Sequence, residues 1–321
     1  MSLQNIVDIY LKTEIFYINL LQQSLPDQLN VFLQYASKLC SPPNTILVLL
    51  PLLHIWTDYS KRTSLISKVV FASTFSDWLN TILKWCFFGN RPYWYSQSLQ
   101  QFPGTCETGP GNPSGHCMIP VAVLTIVALN FRSLKSVCVL LTVSVAVSRV
   151  FIAAHFPHQV INGTLIGYFI GKLVVRNQLA LTKSTWFKYA IFLIVSGYGI
   201  NFLVTNVIGI DLNWALAKAT TACQEKDWIH VSTTPFATFW RISGVSVGMM
   251  NYLNYKSTRS EREISRRLLT KLILTILCLL LTVYGGPWAV KKLMNISILK
   301  NQFYLLFFTQ YFSVPTLLGF I

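Results

Sequence analysis

The chain has 321 residues, of which 53% are hydrophobic and 12% charged, with a formal net charge of +15. A soluble domain carries about 25% charged residues, so this composition excludes a disordered chain and argues against a soluble globular enzyme. A mean hydropathy of +0.49 and long apolar stretches predict a polytopic membrane protein; the basic residues fall in short runs between those stretches, the footprint of membrane orientation and not of a nucleic-acid-binding face.

Residues 1–28 hold Asp8, Lys12, Glu14 and Asp27 and lack a clean apolar core, so they do not read as a signal peptide. Ile6, Ile9, Tyr10, Phe16, Tyr17, Leu20 and Leu21 recur at helical spacing and predict an amphipathic helix lying on the membrane over 1–30. About nine spans follow by the bilayer-thickness rule: 31–56, 64–84, 115–131, 136–150, 154–172, 188–208, 236–255, 269–288 and 302–320. The fourth is short, the fifth begins inside a candidate functional loop, and the seventh carries Arg241. With no internal repeat and no Gly/Ser linker, one membrane domain over 1–321 is the economical reading. Within it, 64–172 form the catalytic core and 188–321 the additional C-terminal spans.

The loops 56–68, 131–136, 172–188 and 256–271 carry 15 of the 26 Lys and Arg residues, which makes this face cytosolic by the positive-inside rule. The opposite, non-cytosolic face then holds the N-terminus, 85–114, 149–155, 209–235 and 289–301, including an Asn295-Ile296-Ser297 sequon. With nine spans the C-terminus is cytosolic. The seven scattered cysteines contain no CxxC pair and read as free, packed thiols; a Cys106–Cys223 disulfide between two loops is the alternative.

Three clusters in the non-cytosolic loops carry chemistry. In the first, Lys84 and Arg91 are seven residues apart in K-x6-RP, on one helix face if helix continues that far. Two cations at a span end suit a phosphate dianion; the plainer reading is a pair of snorkelling side chains. In the second, Pro113-Ser114-Gly115-His116 opens the third span. Ser114 can cap the helix, Gly115 lets the backbone approach a ligand, and the helix N-terminus favours an anion. In the third, Ser148-Arg149 is followed after five residues by His155, an offset that requires a break in the helix. Arg149 offers a planar fork to phosphate oxygens and His155 a nucleophilic imidazole. Together they equip a site for phosphoryl transfer without a metal, since Glu107 is the only acid between 85 and 155.

K-x6-RP, PSGH and SR-x5-H are the three motifs of the type 2 phosphatidic acid phosphatase superfamily. CETGPGNPSGH (106–116), HFPHQV (155–160), DWLN (77–80), RPYWY (91–95) and the 228–237 segment resemble the glucose-6-phosphatase catalytic subunit family. The similarity runs from about residue 40 to 255. It implies an all-α membrane protein with a helical core like that of this superfamily and of vanadium haloperoxidases. It implies hydrolysis of glucose-6-phosphate in the endoplasmic reticulum lumen, without cofactor or metal, and a glucose-6-phosphate transporter as partner. His155 would attack phosphorus and form a phosphohistidine; His116 would protonate the leaving oxygen and then activate water. Lys84, Arg91 and Arg149, with Ser114 and Gly115, would hold the phosphate. Attack needs a neutral His155 and donation a charged His116, so a bell-shaped pH–rate profile is expected.

One departure from the superfamily is Gln159, where an Asp usually orients the nucleophile. Gln159 accepts an imidazole N–H without adding charge, and Asp77, inside a span, is the acid that could substitute or else orient Lys84. Glu107, Asn112, Tyr93 and Trp94 are candidate sugar contacts, the two aromatics fitting an interfacial belt equally well. His158 reads as structural or as a neighbour of His155; His54 and His230 carry no motif. The rival enzymes are one acting on another sugar-6-phosphate, such as 1,5-anhydroglucitol-6-phosphate, and a lipid phosphate phosphatase, which would have six spans and Asp at 159. A transporter would place polar residues at the bilayer midplane in related repeats.

Overall fold

The computed structural model describes residues 3–177, 182–211, 214–230 and 233–258, together with 311–312 and 314–316. Among these the chain is helical apart from its loops, and a single parallel bridge pairs Glu107 with His230. The predicted span 269–288 lies outside the described residues, as does most of 302–320.

The amphipathic N-terminal segment forms α1 (Leu3–Ser24). Ile6, Ile9, Tyr10, Phe16, Tyr17 and Leu20 lie exposed along it, while Leu11 and Ile18 pack on Leu99, Ala153 and Phe156. Gln22 donates to Phe151 O at 2.6 Å and to Gln100 O at 2.9 Å, and Glu14 meets His158 at 2.6 Å. One face of α1 is thus tied beneath the turn that carries His155.

The predicted span 31–56 is not one helix. The helix α2 (Asp27–Leu39) stops before Pro42-Pro43, whose rings remove donors that a continuing helix needs. A π-helical turn at Thr45–Leu49 then leads into α3 (Leu50–Trp56). Among the described residues, helices lie over the other predicted segments: α4 (Tyr59–Phe87), α5 (Gly115–Asn130), α6 (Lys135–Phe151), α7 (Pro157–Arg176), α8 (Lys183–Phe202), and, after the short α9 (Trp214–Ala222), α10 (Pro235–Thr258).

The helix α5 is apolar all round and buried along almost its whole length, as a core helix should be. It packs most extensively on α7, which presents Gly163, Gly167 and Gly171 at four-residue spacing. A Cβ at any of them would collide with the carbonyl oxygen of Ser114, Met118 or Ala122 respectively. Small residues on one helix face let two backbones touch, and here they bring α5 and α7 into close contact.

Beside the buried apolar core, the helices bury polar side chains and leave apolar faces bare. Ser73, Thr74, Ser76, Asp77, Asn80 and Thr81 of α4 are buried, whereas Leu140 and Val143 of α6, Ile161 and Phe169 of α7 and Val195 and Phe202 of α8 are exposed. Residues 132–151 and 183–207 form helices long and apolar enough to cross a membrane, so the chain is compatible with membrane association.

Candidate active site

Lys84 and Arg91 do not share a helix face. Phe88 takes a left-handed conformation (φ 46°) and its N–H caps Lys84 O at 3.1 Å, which ends α4. Arg91 precedes Pro92, a position from which helical backbone is sterically disfavoured, and is extended (φ −110°, ψ 151°). The break lets Arg91 turn inward, where it is fully buried. Its Nε donates to Gly109 O (2.7 Å), Nη1 to Ala154 O (2.9 Å), and Nη2 to Glu107 Oε2 (2.8 Å) and Pro110 O (3.2 Å).

Ser114 occupies the N-cap of α5, yet its side chain makes no capping hydrogen bond. Instead its N–H donates to Gln159 O at 3.0 Å, joining the heads of α5 and α7. The missing side chain of Gly115 makes room for Asn80, whose Oδ1 would lie 2.9 Å from a Cβ there; Gly115 also borders the cavity described below. His116, in the first turn, donates from Nδ1 to Glu107 Oε1 at 2.8 Å.

Arg149 closes α6, and the predicted break follows: Ala153 is left-handed (φ 57°) and α7 starts at Pro157. Arg149 Nη2 reaches Gly104 O (3.2 Å) and Glu107 Oε1, while its Nε is buried without a hydrogen-bond partner. His155 is fully buried. Its Nδ1 lies 2.9 Å from Gly111 O and 3.3 Å from Gln159 Oε1. A carbonyl only accepts, so Nδ1 carries the proton and Nε2 is the basic nitrogen. Nε2 faces Arg91 Nη1 at 3.3 Å, a donor only, which agrees with that tautomer.

Gln159 therefore shares the orienting role with a backbone carbonyl. Its Oε1 also accepts from Phe156 N (3.2 Å) and its Nε2 donates to Asn90 O (2.7 Å). A Cβ on Gly111 would lie 2.6 Å from both Asn90 O and Gln159 Oε1, so only glycine brings this carbonyl to the imidazole.

The hub of the cluster is Glu107. Its carboxylate meets Arg91, Arg149 and His116 and lies 3.5 Å from His155 Nε2. Burial alone would raise its pKa, but Arg91, His116 and Arg149 hold the carboxyl well below the usual carboxylate range. The backbone around it is pinned. Tyr93 Oη donates to Glu107 O (2.7 Å), His230 N to Cys106 O (3.0 Å) and Thr108 N to Thr233 Oγ1 (2.9 Å). Cys106 is disulfide-bonded to Cys223, at the end of α9, so these two are not free thiols.

A cavity of about 650 Å³ opens beside Glu107, within the range of small-molecule sites. Lys84, His116, Arg149, Asp77, Asn80, His230 and Arg241 line it, with Gln34 and Lys38 from α2. Asp77 is not the partner of His155 Nδ1, which faces Gly111 O and Gln159 Oε1; its two oxygens take Nε and Nη2 of Arg241 on α10, at 2.7 and 2.8 Å. Tyr93 is buried as a support for the Glu107 loop, and Trp94 stacks edge-on with Trp214, 5.8 Å from the Arg91 guanidinium. Asn112 faces Gly89 and Asn162 and not the cavity. His158 pairs with Glu14, and His54 is buried against Tyr252. Missed in the sequence were the Gly111 carbonyl, Arg241 and the α2 wall.

Glu107, His116 and His155 bring one ligand atom each within 4.8 Å of one another, a spacing that suits a metal ion. Two guanidinium groups already neutralise the same carboxylate. A divalent cation there would have to displace them against their charge, so the donor set suits an anion better.

Residues 65–183 match the family model of the PAP2 superfamily. Glucose-6-phosphatase 2 of Homo sapiens is 36% identical over 251 residues, covering 68% of this chain and 69% of that protein. Glucose-6-phosphatase catalytic subunit 1 of Haplochromis nubilus is 34% identical over 238 residues, covering 64% and 67%. Glucose-6-phosphatase 3 of Homo sapiens is 36% identical over 206 residues, covering 56% and 59%. No solved structure gives a significant match.

Proposed function

Because the chain belongs to the glucose-6-phosphatase catalytic subunit family of the PAP2 superfamily, we propose that it hydrolyses glucose-6-phosphate to glucose and phosphate through a covalent phosphohistidine. The observation that carries the mechanism is the tautomer of His155. Its Nδ1–H is held by Gly111 O at 2.9 Å, which leaves Nε2 as the attacking nitrogen. Arg91 and Arg149 bind the phosphate oxygens, with Lys84 supplying further positive charge from the cavity wall, and the Gly115 amide and the Ser114 hydroxyl adding donors at the head of α5, the Ser114 N–H being committed to Gln159 O. The unpaired Arg149 Nε is a donor ready for such an oxygen.

In the first step the His155 Nε2 lone pair attacks phosphorus and the P–O bond to the sugar breaks, with His116 giving its proton to the leaving oxygen. In the second, His116 takes a proton from water, whose oxygen attacks the phosphohistidine and releases phosphate. In the resting site Glu107 Oε1 accepts from His116 Nδ1 at 2.8 Å, which leaves Nε2 for the proton exchange.

The enzyme works in the endoplasmic reticulum membrane as a single domain of about nine spans, with N-terminus and site lumenal and C-terminus cytosolic. The positive-inside charge bias and the bare apolar faces of α6, α7 and α8 support this reading. A transporter delivers the substrate to the lumen. The preference for a sugar phosphate over a lipid phosphate rests on the family, since the cavity is lined by apolar side chains such as Val31, Tyr35, Ile119 and Ile152 as well as by charged and amide groups.

The test is phosphate release by membranes carrying the full chain, intact and then permeabilised with detergent, with His155→Ala as control. Latent, His155-dependent hydrolysis of glucose-6-phosphate is expected. Hydrolysis of phosphatidate alone would move the activity to lipids, and preference for 1,5-anhydroglucitol-6-phosphate would move it to another sugar ester.

A further inference from the structure

His155 and Arg91 are both fully buried, and neither borders the cavity. Glu107 does, and its carboxylate stands between them and the open space. In-line attack requires phosphorus about 3–3.5 Å from the nucleophilic nitrogen. Glu107 Oε2 lies 3.5 Å from His155 Nε2, so that place is taken. The guanidinium nitrogens that phosphate needs are also taken, since Nη2 of Arg91 and Nη2 of Arg149 both donate to this carboxylate.

Two anions cannot share these donors. We propose that Glu107 is the resting site's own anion: its carboxylate fills the phosphate position, screens His155 from the cavity, and is exchanged for the substrate's phosphate on binding. The proposal deepens the phosphatase reading and rests on it, because it is the incoming phosphate that does the displacing.

The surroundings say how the exchange happens. The loop cannot retreat, for Tyr93 Oη, the Cys106–Cys223 disulfide and the bridge to His230 hold the backbone on either side of the Glu107 side chain. The carboxylate therefore moves on its own side-chain torsions, and the adjoining cavity gives it somewhere to go. A phosphate dianion, with more charge and more acceptor oxygens than a carboxylate, is the ligand able to take its partners. The exchange lowers the apparent affinity for every such anion by the fraction of sites that stand open.

The experiment uses the full chain in detergent and orthovanadate as the probe. It compares wild type, Glu107→Gln and Glu107→Asp by inhibition of glucose-6-phosphate hydrolysis and by the orthovanadate-dependent rise in unfolding temperature. With its charged competitor removed, Glu107→Gln should bind orthovanadate at least about tenfold more tightly, without any rise in kcat. Unchanged or weaker binding in Glu107→Gln overturns the proposal. If that variant does not fold, Glu107→Asp decides: its shorter carboxylate should also bind the probe more tightly, and equal or weaker binding again overturns it. A wild type that neither hydrolyses the ester nor binds orthovanadate would overturn the phosphatase reading itself, an outcome distinct from the other two.

Discussion

Arg241 of α10 grips Asp77 of α4 through Nε and Nη2, at 2.7 and 2.8 Å, across 164 residues of sequence. The contact bolts the C-terminal half of the described chain to the helix that carries Lys84. Removing one partner strands a buried charge, which costs about 3–5 kcal/mol, whereas replacing both with apolar residues is often close to neutral. Asp77→Leu and Arg241→Leu should each lower the unfolding temperature sharply, and the double variant should recover much of the loss. Strictly additive losses would count against the pair.

The two histidines should separate by leaving group. His116→Ala removes the proton donor and should cut kcat on glucose-6-phosphate by about 10²–10⁴. On p-nitrophenyl phosphate, whose leaving group needs no proton, the first step should survive, so the variant should release a burst of nitrophenolate followed by slow turnover, because the second step still lacks its base. His155→Ala should lose both activities. The wild-type pH–rate profile should be bell-shaped, and a flat profile between about pH 5 and 8 would contradict the pairing of one basic and one acidic imidazole.

Acid stability should bear the mark of Glu107. Its native pKa lies below the unfolded value of about 4.3. Its stabilising contribution is therefore complete above that pH and is lost as the pH falls towards the native pKa. Thermal unfolding of wild type and Glu107→Gln from pH 7 to pH 3 should give curves that run parallel above about pH 4.5 and converge below it. Curves that stay parallel throughout would mean that Glu107 is not held as an anion.

Two glycines should respond in opposite directions to the same change. Gly167→Ala places a Cβ against Met118 O and should cost about 1–3 kcal/mol, with activity falling as α5 and α7 are pushed apart. Gly199→Ala on α8 meets nothing within 4 Å and should stabilise the helix by about 0.4–1 kcal/mol. Equal effects would remove the case for a close α5–α7 contact.

Cutting the Cys106–Cys223 link should loosen the Glu107 loop. Cys223→Ser opens a covalent loop spanning 117 residues, and loss of such a link typically costs about 2–5 kcal/mol. Reductant should shift the unfolding temperature of wild type and leave that of the variant unchanged.

Much of the framework was legible in the sequence because backbone breaks are written in proline. Pro92, Pro113 and Pro157 each sit where a helix begins or has just ended, and the motif residues flank them. Among the described residues, the helices follow the apolar runs, except at 31–56, where Pro42-Pro43 divides the segment. The centre of the site was harder. Glu107 lies in a loop with no periodicity, and its partners come from four separate places in the chain. The Gly111 carbonyl has no side-chain signature at all. Arg241 looked like a blemish in a weak span because nothing local announces a partner 164 residues away. The cation pair was misplaced because helical periodicity was carried past Phe88, whose left-handed turn ends it.

The glycine stripe of α7 has a translational symmetry. Its three notches, four residues apart, meet three carbonyl oxygens with the same spacing on α5. Sliding one helix by four residues, about 6 Å, would seat two of the three notches again. Glycine packing alone therefore works like a ratchet with equivalent stops, and each stop would set His116 and His155 at a different separation. What breaks the degeneracy is the hydrogen bond from Ser114 N to Gln159 O, at 3.0 Å. The ruler of the active site is thus a main-chain contact, written in no side chain, and it holds its length under every substitution that leaves the backbone in place.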